Sequence, residues 1–358
     1  LKLVFLYTEL AGYLLASVRD FLMRYPAAEV HVVRYPVNPE APFYFESFPG
    51  LFVYDRKDFL NASDLYAFCL DLQADAVLCS GWIDKEYLAV CKLYKKRIPV
   101  VLVLDTRWNG SVRQHLLRLS SPFTLKRWFS HVWVPGAPQR EYALLLGFKE
   151  AQIAAGFYCA DVSFFSEMHR LFAQSKSEVY PKRFICVARY IPAKNLALLW
   201  DAFVSLHAEF PDWELWCLGQ GELFDVRLQH PAIKHVGFVQ PQDLETYIGQ
   251  SGVFVLPSLY EPWGVVVHEY AAAGFPLLLS NKVGAVSAFL EEGKNGFSFD
   301  PENKGDCINK MKQVMSLSQD EWNAFSNHSL QLSQRVSLAN WTASLLGFGI
   351  KQRDACVE

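Results

Sequence analysis

The sequence predicts an α/β protein of two domains, each built on a doubly wound parallel sheet, and three observations carry that reading. The chain has 358 residues, half of them apolar, and a single core rarely grows past about 250–300 residues. Short apolar runs alternate with stretches of helical spacing, the signature of parallel strands linked by covering helices. The alternation lapses near residue 150 and then resumes, with no tandem repeat in the sequence itself.

In the first half, apolar runs at residues 3–8, 30–33, 51–54, 76–80, 99–104 and 131–134 read as strands. Residues 13–23, 63–72, 85–96 and 138–146 read as the helices between them. Ligands of such sheets bind beyond the strand C-terminal ends, so the residues there are candidates. Gly12 follows the first strand, either as a turn glycine or to admit a ligand close to the backbone. Asp105 ends the strand at 99–104, either as a site carboxylate or as a helix N-cap. From Thr106 to Arg140 there are six lysines and arginines, no acidic residue, and interleaved leucine, phenylalanine and tryptophan. That stretch reads either as a basic surface for an anionic membrane or phosphate-bearing acceptor, or as a solvated helix face. The polar residues 174–182 read as the interdomain linker.

In the second half, strands are expected at 184–188, 213–218, 235–239, 252–256 and 276–280, with helices at 196–210, 243–250, 264–273 and 283–290. Residues 322–347 are helical in pattern. The central stretch is LPSLYEPWGVVVHEYAAAG, residues 256–274. It reads as a strand end, a loop punctuated by Pro257 and Pro262, and a helix stopped at Gly274. Such a unit aims unpaired helix N–H groups beyond the strand. Glu261 and Glu269 flank that anion-attracting end, and carboxylates accept from hydroxyls while repelling phosphates. A ligand with an anion and hydroxyl groups side by side, such as a sugar nucleotide, matches both features.

Composition narrows the class further. The formal net charge of −3 argues against general nucleic-acid binding. Eight cysteines without metal-ligand spacing, Cys79, Cys186 and Cys217 among them in core strands, fit a reducing compartment rather than a disulfide framework. No apolar run approaches the roughly 18–20 residues of a membrane span. The expected location is therefore cytoplasmic, with peripheral contact on the inner membrane face left open through residues 106–140.

Glu261 and Glu269, with seven residues between them inside Tyr-Glu-Pro-Trp-Gly…Glu…Ala-Gly, resemble the E-x7-E signature of retaining glycosyltransferases of family 4. Gly284 and the Glu-Glu-Gly-Lys-Asn-Gly of residues 291–296 strengthen the resemblance. It implies the GT-B fold: two Rossmann-like domains facing a central cleft, at residues 1–170 for the acceptor and 171–333 for the donor, with a C-terminal helical segment, 334–358, crossing back to the first domain. It also implies transfer of a sugar from a nucleoside diphosphate to a hydroxyl acceptor (a glycan, a lipid-linked saccharide or a small molecule) with retention, using no cofactor and no metal. Arg189 and Lys194 resemble the family's Gly-Arg-x-x-x-x-Lys-Gly passage, whose basic pair binds the donor diphosphate, with Ala188 and Asn195 in place of its glycines. By the same resemblance, Gly219 and Gly221 approach the ribose, and Val239 borders the base. Backbone N–H groups of Trp263, Gly264 and Val265, just after Pro262 at the same donor-binding turn, meet the diphosphate, Glu269 accepts from the ribose, and Glu261 holds the sugar. Gly12 stands where the family has a glycine pair, and Asp105 where many members carry a histidine. Two other readings stay open: an inactive sugar-nucleotide-binding scaffold, and a sugar-nucleotide epimerase on the same fold.

Overall fold

The computed structural model describes residues 1–38 and 42–350. Two compact units emerge, the first from residues 1–38, 45–159 and 336–350, the second from 160–335 together with residues 42–44.

In the first unit seven parallel strands form one sheet: β1 Lys2–Leu6, β2 Glu29–Arg34, β3 Leu51–Asp55, β4 Ala76–Ser80, β5 Val100–Val103, β6 His131–Val134 and β7 Ile153–Ala155. Their order is β3-β2-β1-β4-β5-β6-β7, so the direction of strand addition reverses between β1 and β4. Helices α1 Gly12–Arg24, α2 Ala62–Asp71, α3 Lys85–Tyr94, α4 Val112–Ser120, α5 Leu125–Trp128 and α6 Ala137–Leu145 lie between them in sequence. Strands β1, β4, β5 and β6 are almost wholly buried, which is why they read as unbroken apolar runs. β7 is only three residues long and escaped the strand pattern.

The second unit holds six parallel strands: β8 Arg183–Val187, β9 Glu214–Leu218, β10 Ile233–Gly237, β11 Val253–Leu256, β12 Leu277–Ser280 and β13 Gly296–Phe299, in the order β10-β9-β8-β11-β12-β13. Here the reversal falls between β8 and β11. Its helices are α7 Val162–Glu178, α8 Leu196–His207, α9 Glu245–Gln250, α10 Val265–Ala272, α11 Val286–Phe289, α12 Lys304–Met315 and α13 Gln319–Ser333.

Two expectations need correction. Residues 174–182 are not a linker. Most of them continue α7, which opens on an Asp161 cap, the Phe164 N–H donating to its Oδ1 at 3.1 Å, and packs on α9, α10 and α13. The division between units accordingly falls at Cys159/Ala160, not at 170/171. The polar run concealed Lys176, which is buried and whose ammonium donates to the Ser251 carbonyl at 2.8 Å.

After α13 the chain returns to the first unit as α14, Leu338–Leu346, which packs on α1. Trp341 is buried against Trp133, ring centroids 4.9 Å apart, and its indole N–H donates to the Phe157 carbonyl at 3.0 Å. The seven described cysteines are all buried and none is in a disulfide. Among the described residues no helix is long and apolar enough to cross a membrane.

Candidate functional site

Each sheet gathers its chemistry at its reversal point, where neighbouring loops diverge and leave room for a ligand. In the second unit these are the loops after β8 and β11. Arg189 lies two residues past β8 and is exposed. Lys194 closes the single turn Pro192–Lys194, and Asn195 follows in the left-handed region at φ 53°. Asparagine is among the few side chains that tolerate that conformation. It accounts for Asn195 at a position where the resembled motif has glycine, and its Nδ2 also donates to the Pro301 carbonyl at 2.9 Å.

The loop after β11 meets this turn directly. The Leu259 N–H donates to the Ala193 carbonyl at 2.9 Å, and the Lys194 ammonium forms an ion pair with the Glu261 carboxylate. Both side chains are mostly buried, 16% and 14% exposed, so the pair forms where its partners feel each other more strongly than at an open surface. The Gly284 N–H donates to the Glu261 carbonyl at 3.0 Å and fixes the loop's backbone. Gly264 then turns the chain into α10 at φ 90° with no side-chain cap, leaving the first helical N–H groups pointing out of the helix end. Pro262 and Val265 flank that end, and Trp263 is buried beneath it.

Glu269 lies one turn further along α10. Desolvation, with the Asp161 carboxylate adding to it, raises its carboxyl to about 7. Its neighbour His268 is fully buried. His268 Nδ1 accepts from the Ala160 N–H at 3.1 Å, and Nε2 donates to the Ser333 carbonyl at 2.8 Å. Burial lowers its pKa to about 4, so the ring is neutral with its proton on Nε2. This histidine ties the site helix to both points where the chain crosses between units. Sequence reasoning passed over it because it sits in an apolar helical pattern.

Gly219 and Gly221 follow β9. A Cβ on Gly219, whose φ is 142°, would stand 1.9 Å from the Ala188 carbonyl oxygen, so the loop lies directly on the backbone leading to Arg189. Val239 sits two residues past the end of β10, which stops at Gly237 rather than at the expected 239.

The first unit's loops enclose a cavity of 420 Å³ at its own reversal point. Thr8, in the loop after β1, and Ser80, the last residue of β4, approach within 3.2 Å there. Asp105 lines the cavity; it caps no helix, since α4 opens later at Ser111. The Tyr158 hydroxyl donates to Asp105 Oδ2 at 3.2 Å, Tyr13 packs edge-on against Tyr158, and the Tyr7 and Tyr13 hydroxyls lie 3.3 Å apart. Burial, then neighbouring tyrosines and Asp105, raise the Tyr158 hydroxyl well above its ordinary range, and burial raises Tyr13 to about 12. The cluster therefore stays protonated and presents Asp105 with a donor. Gly12 is the first residue of α1 and does not have a positive φ, so its backbone makes no demand for glycine.

Two parallel sheets ordered in this way define the GT-B fold, and solved structures share it. HepE of Anabaena, in complex with UDP and glucose, superposes with a TM-score of 0.70 at 16% identity over 96% of this chain and 98% of its own. A glycosyltransferase from Rickettsia africae does so at 0.72 and 12% identity over 96% of each chain. Residues 168–329, within the second unit, match the family model of glycosyl transferases group 1. Among curated relatives, a sucrose synthase of Denitrovibrio acetiphilus is 32% identical over 120 residues, 32% of this chain and 15% of its own length. An alpha-monoglucosyldiacylglycerol synthase of Acholeplasma laidlawii is 30% identical over 122 residues, 32% of this chain and 30% of its own. The aligned stretches thus span less than a third of either relative.

Proposed function

We propose that the protein is a retaining glycosyltransferase of family 4, moving a sugar from a nucleoside-diphosphate sugar to a hydroxyl acceptor without a metal ion. The observation that carries this reading is the convergence of Lys194, Glu261 and the open end of α10 at the second sheet's reversal point. A cation, a carboxylate and helix N–H groups within one loop pair suit a ligand that is phosphate at one end and hydroxyl at the other.

Arg189, Lys194 and the α10 N–H groups receive the diphosphate. Glu269 accepts from ribose hydroxyls, with Gly219 and Gly221 letting the backbone approach and Val239 beside the base. Glu261 holds the sugar. As the bond between the anomeric carbon and the phosphate oxygen breaks, its electron pair leaves with the diphosphate, where these fixed positive groups stabilise it. The acceptor oxygen bonds to the anomeric carbon on the face the diphosphate leaves, and its proton passes to the departing phosphate oxygen. Asp105 orients the acceptor hydroxyl from the first unit's cavity.

A thermal-shift panel of sugar nucleotides, run with excess chelator, tests the reading; UDP-glucose heads it because HepE is solved with UDP and glucose. A donor present at 100 times its Kd adds about 2.7 kcal/mol of stability. Slow release of free sugar from that donor under chelator is expected alongside the shift. No shift with any sugar nucleotide overturns the assignment, and turnover that appears only when magnesium or manganese is restored overturns its metal independence.

A further inference from the structure

Helix α4 of the first unit reverses the usual pattern of a surface helix, which turns its apolar stripe inward. Its inward side carries Gln114, buried and bonded on both ends: the Asn109 N–H donates to Oε1 at 2.7 Å, and Nε2 donates to the Arg107 carbonyl at 2.8 Å. Its outward side is apolar. Val112, Leu116, Leu119 and, on the turn that follows, Phe123 are 76%, 62%, 73% and 70% exposed. At about 100° per residue, spacings of four, three and four place all four within one narrow stripe. Arg113 and Arg118 fall on opposite sides of that stripe, and Arg127 lies by Phe123, its guanidinium 6.0 Å from the ring centre. Among the described residues Arg113, Arg118, Lys126 and Arg127 have no carboxylate partner, and the sequence holds no acidic residue from Thr106 to Arg140. The inward side of the same helix, through Gln114 and Leu117, lines the cavity that holds Asp105.

We propose that the outward face of α4 docks on an anionic lipid bilayer, bringing the acceptor cavity behind it to lipid-borne hydroxyls. The inference rests on the transferase reading and narrows its acceptor to the membrane surface. An apolar stripe bordered on both sides by unpaired cations matches acyl chains below and anionic headgroups around them. A protein partner or a second copy of this chain would cover the stripe equally well, but neither calls for cations on both flanks without a single acid between them.

The full chain is sedimented with vesicles of phosphatidylcholine alone and of phosphatidylcholine mixed with phosphatidylglycerol. Binding is expected to the mixed vesicles and to fall with added salt. Leu116→Ser with Leu119→Ser should abolish it, and Arg118→Gln, Lys126→Gln and Arg127→Gln together should weaken it about 100-fold, roughly fivefold per charge. All five positions lie outside the donor site, so the sugar-nucleotide thermal shift should persist in both variants. Wild-type chain that leaves the mixed vesicles in the supernatant while still showing that shift overturns the docking alone. So do variants that sediment like wild type, or a concentration-dependent dimer that the two serines dissolve. Loss of the thermal shift in the wild type is a failure of the transferase reading instead.

Discussion

The Lys194 ammonium and the Glu261 carboxylate pair across the reversal point of the second sheet, joining the loop after β8 to the loop after β11. Removing either partner leaves the other charge mostly buried and alone, a costly state. A double-mutant cycle with Lys194→Met and Glu261→Gln in the ligand-free protein should therefore show about 1–3 kcal/mol of coupling in denaturant unfolding. Additive effects would mean the two side chains do not hold one another in solution.

The two glutamates should separate kinetically. Glu269→Gln should chiefly raise the donor KM, by a factor corresponding to about 1.5–3 kcal/mol, since ribose contacts are equal in ground and transition states. Glu261→Gln should lower kcat more than it raises KM, because its hold on the sugar strengthens as positive charge develops there. Steady-state kinetics with donor varied and acceptor saturating decide the matter; the reverse pattern would exchange the roles.

Glu269 also predicts a pH dependence. Its carboxyl titrates near 7 in the folded protein, and only the carboxylate accepts from both ribose hydroxyls. The donor KM should fall as pH rises from 6 to 8, and Glu269→Gln should flatten that slope. A slope unchanged in the variant would place the titrating group elsewhere.

His268 makes a separate prediction about stability. Its ring titrates near 4 when folded and near 6.5 in an unfolded chain. Below 6.5 the unfolded state takes up a proton that the folded ring refuses. The contribution is thus intact above 6.5 and is lost progressively as pH falls to 4, about 3 kcal/mol in all. Denaturant midpoints across that window should drop more in wild type than in His268→Gln, which keeps the hydrogen-bonding shape but does not titrate. Parallel midpoints would exclude His268 as a source of the acid sensitivity.

Gly219→Ala should cost at least about 2 kcal/mol, because its methyl would fall on the Ala188 carbonyl. The strain acts on the backbone leading to Arg189, so the sugar-nucleotide thermal shift should shrink as well. A variant as stable as wild type would mean that the loop yields without cost.

Much of this was legible in the sequence because buried parallel strands leave unbroken apolar runs, and six of the seven strands of the first sheet and five of the six of the second were read from such runs; the short β7 and β13 were not. The loops at the second reversal point, and the turn after β9 beside them, were legible through residue types that backbone geometry or charge demands: Lys194, Glu261 and Gly264 in the former, Gly219 in the latter. What stayed hidden depends on long-range contact. Nothing local distinguishes Lys176 in a polar run from an exposed lysine; its burial comes from carbonyls more than seventy residues away. Residues 42–44 look like part of the first domain, yet they group with the second unit, where Gln240 Nε2 donates to the Pro42 carbonyl at 2.8 Å. The tyrosines around Asp105 come from the loop after β1, from α1 and from the segment after β7, distances no motif spans.

The return of α14 sets the order in which the molecule is completed. Everything the second unit draws on from residue 160 onward has been synthesised by residue 335, whereas the first unit needs Trp341 and Leu345 to finish its core. A nascent chain therefore carries an unfinished first unit, with the Trp133 face bare, while the second is made and closes behind it. Domains usually mature from the N-terminus as they emerge from the ribosome; here the half that is made first is sealed last. A premature stop before α14 leaves a chain with its second unit whole and a sticky, unsealed first unit, which marks it for chaperone capture or proteolysis.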